Sequence, residues 1–251
     1  MIFDEFHERS LQADLGLAFA RESQRLFRED LRLLVMSATL DCAAVTSLLS
    51  DATTISCEGR LFPVTTHYLD RPIDGHIEPA VVRSIKAALA KESGSLLVFL
   101  PGMAEIRRVE RQLHEGRLDP DVIIAPLHGE LPQAEQDQAI RPAPSGSRKI
   151  VLATSIAETS LTIEGVRVVI DAGLMRIPRF DPRTGLTRLD TIRVTLDAAD
   201  QRRGRAGRLE AGTCYRLWTN AEHQALLPRR PPEILEADLA PLALELAEWG
   251  V

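Results

Sequence analysis

Leu96-Leu97-Val98-Phe99-Leu100-Pro101-Gly102 is an unbroken apolar run closed by a Pro-Gly turn signal. A strand of that composition has no polar face to turn to water, so it suits a strand buried on both sides in a parallel sheet. Helical patterns flank it. Ile77, Val81, Ile85 and Leu89 recur every four residues before it, and Ile106, Val109 and Leu113 recur at i, i+3, i+7 after it. Further short runs extend the alternation: Met1–Phe3, Leu31–Met36, Thr53–Cys57, Val64–Leu69, Val122–Ala125, Lys149–Ala153, Val166–Ile170 and Cys214–Trp218. Strands alternating with amphipathic helices predict an α/β fold with a parallel sheet.

Two places interrupt the rhythm. Asp181-Pro182-Arg183-Thr184-Gly185 sits between extended stretches, which predicts an Arg-rich β-hairpin over residues 173–195. After Pro228, Leu235, Leu239, Leu242, Leu246 and Trp249 form a one-sided helix with no strand behind it, read as the opening of a further domain. The first strand, Met1-Ile2-Phe3, is short against the usual ~5–6 residues and reads as a strand entered midway.

The 251 residues suit one large or two small domains at ~100–200 residues each. Composition is that of an ordinary globular chain, 45% apolar and 26% charged; with aromatics at only 4%, the core must be built from Leu, Val, Ile and Ala. No apolar run approaches the ~18 residues of a membrane span, and no signal-peptide pattern is visible. Cys42, Cys57 and Cys214 are odd in number and widely spaced, which argues against a disulfide framework or zinc site and for a reducing compartment. The net charge of −6 speaks against nonspecific nucleic-acid binding, but its distribution does not. Residues 167–208 hold ten Arg, five Asp and no Lys or Glu, and the chain as a whole has 27 Arg against 3 Lys. Arg grips phosphate through a planar fork, although biased genome composition gives the same ratio.

Three stretches carry chemistry. Asp4-Glu5-Phe6-His7 follows an apolar strand, where carboxylates face the ligand crevice of α/β sheets. One carboxylate there can hold Mg²⁺ through water and a second can deprotonate an attacking water; the plainer reading is a charged strand end that caps the next helix. Ala153-Thr154-Ser155-Ile156-Ala157-Glu158-Thr159-Ser160-Leu161-Thr162-Ile163 is a hydroxyl-rich loop after a strand, fit either to bind backbone phosphates or to cap a helix. Gln201-Arg202-Arg203-Gly204-Arg205-Ala206-Gly207-Arg208 places Arg205 and Arg208 three apart on one face, a spacing suited to a transferring phosphoryl group. As a plain basic loop the same run is a solvated face or a nucleic-acid patch.

The order of these stretches, with Ser37-Ala38-Thr39 and Leu97–Gly102 between them, resembles the DEAH/RHA group of superfamily 2 RNA helicases, motif II through motif VI. Asp4-Glu5-Phe6-His7 with Glu8–Asp14 looks most like the bacterial HrpB-type members. The resemblance implies tandem RecA-like parallel-sheet domains. Residues 1–72 match the rear of the first, residues 73–219 the complete second with its hairpin, and residues 220–251 the start of a winged-helix region. It also implies an ATP-dependent RNA helicase, a nucleoside triphosphate hydrolase using ATP and Mg²⁺, cytoplasmic, monomeric and not membrane-bound.

Its site residues follow by match. Asp4 helps hold Mg²⁺ and Glu5 activates water. His7, Ser37 and Thr39 couple nucleotide to RNA. Gly102, Thr154 and Ser155 meet the backbone of single-stranded RNA. Ser160 senses the γ-phosphate, and Glu164 stands where many relatives carry Asp near the ribose. Gln201, Arg205 and Arg208 complete the phosphate site, the two Arg as fingers. A P-loop needs Gly-Lys before Ser or Thr, yet Lys86, Lys91 and Lys149 follow Ile85, Ala90 and Arg148. The chain therefore reads as a fragment whose partner is a P-loop segment of the same protein, inactive alone; the alternative is a noncatalytic nucleic-acid-binding module.

Overall fold

Ile2–Phe3 (β1) pairs in parallel with Leu34–Val35 (β2), Ile2 opposite Leu34 and Phe3 opposite Val35, in a computed structural model of the chain. The structure describes residues 1–38, 42–49, 52–57, 59, 62–158 and 163–250, the side chains of 42–44 excepted. Two units are distinct: Met1–Glu58 with Ile177–Asp190 and Arg230–Val251, and Gly59–Arg176 with Thr191–Arg229.

In the first unit, Leu11–Leu26 (α1) lies between the two short strands, and Cys42–Leu48 (α2) follows them. Ser10 caps α1 by accepting the Ala13 amide at 3.2 Å, and Arg9 grips Asp14 with paired bonds of 3.0 Å. Among the described residues of 1–57, only Phe6, Leu17 and Ala20 are buried apolar side chains. Thr53–Cys57, expected as a strand, forms no strand among the described residues, and Ile55 is 87% exposed.

The second unit is a six-stranded, wholly parallel sheet. Its strands are Val64–Leu69 (β3), Ser95–Phe99 (β4), Val122–Leu127 (β5), Arg148–Ala153 (β6), Val166–Asp171 (β7) and, after the hairpin Leu174–Asp181 (β8) and Leu186–Arg193 (β9), Gly212–Thr219 (β10). Their order is β3-β10-β7-β4-β6-β5. Every residue of β4 is buried. Its pleat sends Leu96 and Val98, joined by Leu100 just beyond the strand, to a core shared with Glu78–Lys91 (α3) and Met103–Glu115 (α4), and Leu97 and Phe99 to a second core with Ala139, Ala157 and Ala206. The second core underlies Gln133–Ile140 (α5) and Leu196–Gly204 (α6) with the 3₁₀ turn Arg205–Gly207.

One boundary shifts. Val64–Leu69, placed with the first domain by sequence, runs alongside β10 from Val64↔Gly212 to Tyr68↔Arg216. Its hydrogen-bonding partners are 148 residues away, beyond the reach of local pattern. The hairpin itself forms, the Thr184 and Gly185 amides donating to the Asp181 carbonyl and Gly185 taking the left-handed φ of 65°, but its outer part, Ile177–Asp190, expected in the second domain, is grouped with the first unit. At its root Gly173 has φ +71°, and a Cβ there would lie 2.6 Å from the Trp218 ring.

The C-terminal helix Ala240–Trp249 (α8), expected to open another domain, is gathered with the N-terminal segment. Between β10 and α8, Asn220–Gln224 (α7) carries a complete capping box of Thr219 and Glu222. Glu233 then closes onto the start of α1: its amide donates to the Arg9 carbonyl at 3.0 Å, and its Oε2 accepts the Leu11 amide at 2.8 Å. Phe19 of α1 and Trp249 of α8 stand 5.7 Å apart, ring to ring.

Candidate functional site

In the first unit, Glu5 adopts φ 48°, ψ 36°, a left-handed conformation uncommon for a residue with a side chain. Strain of this kind costs about 1–3 kcal/mol and collects at functional sites. Asp4 Oδ1 accepts the Glu5 amide at 2.8 Å and so holds the turn. His7 is nearly buried, and its Nδ1 accepts the Ala38 amide at 3.3 Å. A Glu5 carboxylate oxygen lies 3.5 Å from the same nitrogen. The Phe6 amide also donates to the Met36 carbonyl at 3.0 Å. Asp4-Glu5-Phe6-His7 and Met36-Ser37-Ala38 are thus joined at two points. Thr39, expected to share the coupling role, lies outside the described residues.

The second unit gathers the other expected residues at the carboxyl end of its sheet. Thr154 and Ser155 begin the 3₁₀ turn Ser155–Ala157, and the Thr154 side chain does not cap it, so the hydroxyl is not spent as a cap. The Thr154 amide is held by the Leu127 carbonyl at 3.2 Å. Gly102 precedes α4 as its N-cap, where a Cβ would meet the Arg176 guanidinium at 2.5 Å, so the glycine lets that cation lie close over the start of the helix. Arg176 is held there by Glu105 at 3.2 Å. Glu164 is exposed on a turn, and Ser160 lies outside the described residues.

Arg205 and Arg208, expected to act alike, differ in setting. Arg205 is 8% exposed and donates to the Glu158 carbonyl, while Arg208 is exposed at the end of the turn. Gln201 is half-buried on α6.

The residue the sequence reading passed over is Arg202, 1% exposed. Its Nε donates to Glu158 Oε1 at 2.7 Å, and its Nη1 to Asp171 Oδ1 at 2.7 Å and to the Leu174 carbonyl at 3.2 Å. Its guanidinium also lies 4.9 Å from the centre of the Phe99 ring. Burial opposes its charge, but the Asp171 and Glu158 carboxylates outweigh burial and hold its pKa above the ordinary arginine value. A sequence signal for it exists. Ala198, Ala199 and Arg202 share the buried face of α6, and an arginine on such a face requires buried acids.

Charge on the hairpin is locally matched. Arg179 pairs with Asp190 and Glu236, Arg183 with Asp181, and Arg193 with Glu222. The excess of positive charge counted along the sequence is correspondingly smaller on the surface. Among the described residues, no group of three or more His, Cys, Asp or Glu is placed to hold a metal ion, and no helix is long and apolar enough to cross a membrane. Cys57 and Cys214 are free thiols; burial pushes Cys214 up to about 12, which keeps it unreactive.

The family model described as helicase conserved C-terminal domain matches residues 80–210, just over half of the chain. This chain belongs to that helicase family. The match takes in β4 to β7, the loops that follow β4 and β6, and α6 with its arginines, and the six-stranded unit has the RecA-like C-terminal helicase fold. The chain is 51% identical over 250 residues to the ATP-dependent RNA helicase HrpB of Escherichia coli, covering all of this chain and 31% of the relative. It is 37% identical over 265 residues to the mouse probable ATP-dependent RNA helicase DHX34, covering all of this chain and 23% of that protein. Among solved structures, a crystal structure of the E. coli DEAH/RHA helicase HrpB matches all of this chain and 32% of its own with a TM-score of 0.93, at 51% identity. A second HrpB crystal structure, of the DExH-box NTPase, gives 0.90 over 99% of this chain. The chain spans less than a third of the length of the curated relatives it matches.

Proposed function

We propose that this chain forms part of a DEAH-type, ATP-dependent RNA helicase, and that its motif residues serve nucleotide hydrolysis and single-stranded RNA. The observation that carries this reading is Glu158. Its side chain is held by Arg202 and its backbone carbonyl by Arg205, so the RNA-side loop that starts at Thr154 and the phosphate-side arginines are tied to one residue.

A bound Mg²⁺–nucleoside triphosphate supplies the transferable phosphoryl group and its metal. The donor set fits water-mediated metal binding: Asp4 offers one carboxylate, with no protein cage around it among the described residues. Glu5 accepts the proton of the attacking water. Arg205 and Arg208 take up charge on the γ-phosphate, with Gln201 beside them. Ser160 and Glu164 serve phosphate and ribose, and Ser37 and Thr39 relay to the RNA side. Gly102, Thr154 and Ser155 meet RNA through its backbone, so affinity falls as salt rises and varies little with sequence.

A second reading, favoured by the absent Gly-Lys dipeptide, is a noncatalytic nucleic-acid-binding module derived from a helicase. Phosphate release with and without poly(U) separates the two readings. The full-length protein is expected to hydrolyse ATP in an RNA-dependent way that Glu5→Gln abolishes, and the isolated chain is expected not to. RNA-dependent hydrolysis by the isolated chain, lost in Glu5→Gln, overturns the second reading. A full-length protein inert toward ATP overturns the first.

A further inference from the structure

Arg202 touches four segments that leave the carboxyl end of the sheet, and neither the expected site residues nor the family match gives it a role. It sits on α6, one turn before Arg205. It holds the Glu158 side chain, which ends the Thr154–Ala157 turn, and Asp171, which ends β7. It holds the Leu174 carbonyl, where the hairpin starts, and lies against Phe99, which ends β4 before Pro101-Gly102. A guanidinium can do this because its donors leave in a fixed plane; an ammonium offers one point of charge.

The turn it holds is also self-bound. The Ala157 amide donates to the Thr154 carbonyl at 3.3 Å and the Glu158 amide to the Ser155 carbonyl at 2.8 Å, so a displacement of Glu158 moves Thr154 and Ser155 with it. Arg205, three residues beyond Arg202, reaches the carbonyl of the same Glu158.

We propose that Arg202 is a positioning residue that couples the phosphate-sensing turn at Arg205 to the RNA-contacting turn at Thr154–Ser155, acting through its fork on Glu158 and Asp171. This rests on the helicase reading above. Arg202 itself touches neither nucleotide nor RNA. Its removal weakens the influence of one ligand on the other, a quantity that scaffold damage alone does not change selectively.

The test is the ratio of ATP turnover with saturating poly(U) to turnover without it, in the full-length protein, alongside a thermal unfolding midpoint. Arg202→Lys keeps the charge and loses the fork, and is expected to lower the ratio by about tenfold or more. Glu158→Gln keeps the acceptor and loses the charge, and is expected to lower the ratio by about fivefold, with the double variant no worse than Arg202→Lys alone. A folded Arg202→Lys with the wild-type ratio overturns the proposal. So does an equal fall in both rates, which marks a scaffold effect. Should Arg202→Lys fail to fold, Glu158→Gln decides on the same criteria. Wild-type protein with no RNA stimulation removes the helicase reading and this inference with it, a result seen before any variant is made.

Discussion

The two halves of the candidate chemistry rest on unequal foundations. Asp4, Glu5 and His7 follow a strand of two residues whose Ile2, and Leu34 opposite it, are 65% and 50% exposed. Gln201 lies on, and Arg205 and Arg208 just after, a helix that packs on a sheet whose central strand is buried throughout. In the first unit, position is fixed by backbone: the left-handed Glu5, the Phe6–Met36 and Ala38–His7 bonds, and Glu233 at the head of α1. In the second it is fixed by packing and by a buried ion network. Equal chemical precision thus has two sources, and they fail in different ways.

The largest contrast lies in stability. Arg202→Met strands the Glu158 and Asp171 carboxylates without their cation, and is expected to destabilise the second unit by about 3–5 kcal/mol. Leu97→Ala in the fully buried β4 is expected to cost about 2–5 kcal/mol. Leu34→Ala, half exposed in β2, is expected to cost under about 1 kcal/mol. Denaturant unfolding of the three variants checks this order; a Leu34→Ala loss equal to that of Leu97→Ala erases the distinction. Hydrogen exchange offers a smaller but residue-level contrast. Amides of β4, β6 and β7 are expected to exchange only by global opening, and those of β1 and β2 by local fraying. Equal protection in the two sets contradicts it.

The pattern that shows in a sequence is the periodic one. Continuous runs such as Leu96–Leu100 and the turn at Asp181–Gly185 are written locally, and the structure has both. Thr53–Cys57 has strand-like residues but pairs with no strand among the described residues, and pairing is not a local property. The same holds at the site. Arg205 and Arg208 stand out by spacing, yet Arg205 is buried and bonds the carbonyl of Glu158, 47 residues away, while Arg208 is exposed. Arg202 was hidden because its acids lie 44 and 31 residues away. Its place on a small-residue helix face was legible; the partners that make it tolerable there were not.

Acid separates the parts more gently. His223 is held below its ordinary 6.5 by burial and by Arg216, whose guanidinium reaches its ring at 3.2 Å and only donates. The unfolded chain therefore takes up this proton first, and the contribution of neutral His223 is lost as pH falls below about 6.5. Glu78 is buried, which alone raises its pKa, but backbone hydrogen bonds and Arg108 outweigh that and hold it below 4.5. Its contribution is present above pH 4.5 and lost as pH falls further. Both groups belong to the second unit, so mild acid is expected to lower its unfolding midpoint in two steps, and His223→Gln to remove the upper one. A His223→Gln profile unchanged from wild type refutes that assignment. Smallest of all, Glu233→Ala removes an acceptor from the start of α1 and is expected to cost about 1 kcal/mol. Exchange at Leu11 should quicken while exchange in β4 does not.

One pair of variants decides whether the buried arrangement around Glu158 belongs to a phosphate-cleaving site. RNA-stimulated ATP turnover of the full-length protein should fall by about 10³-fold or more in Arg205→Ala, with folding preserved. Arg208→Ala should fall comparably despite its exposure. Turnover that survives Arg205→Ala in a folded protein contradicts a phosphate role for that arginine and reduces it to a prop for the Thr154 turn.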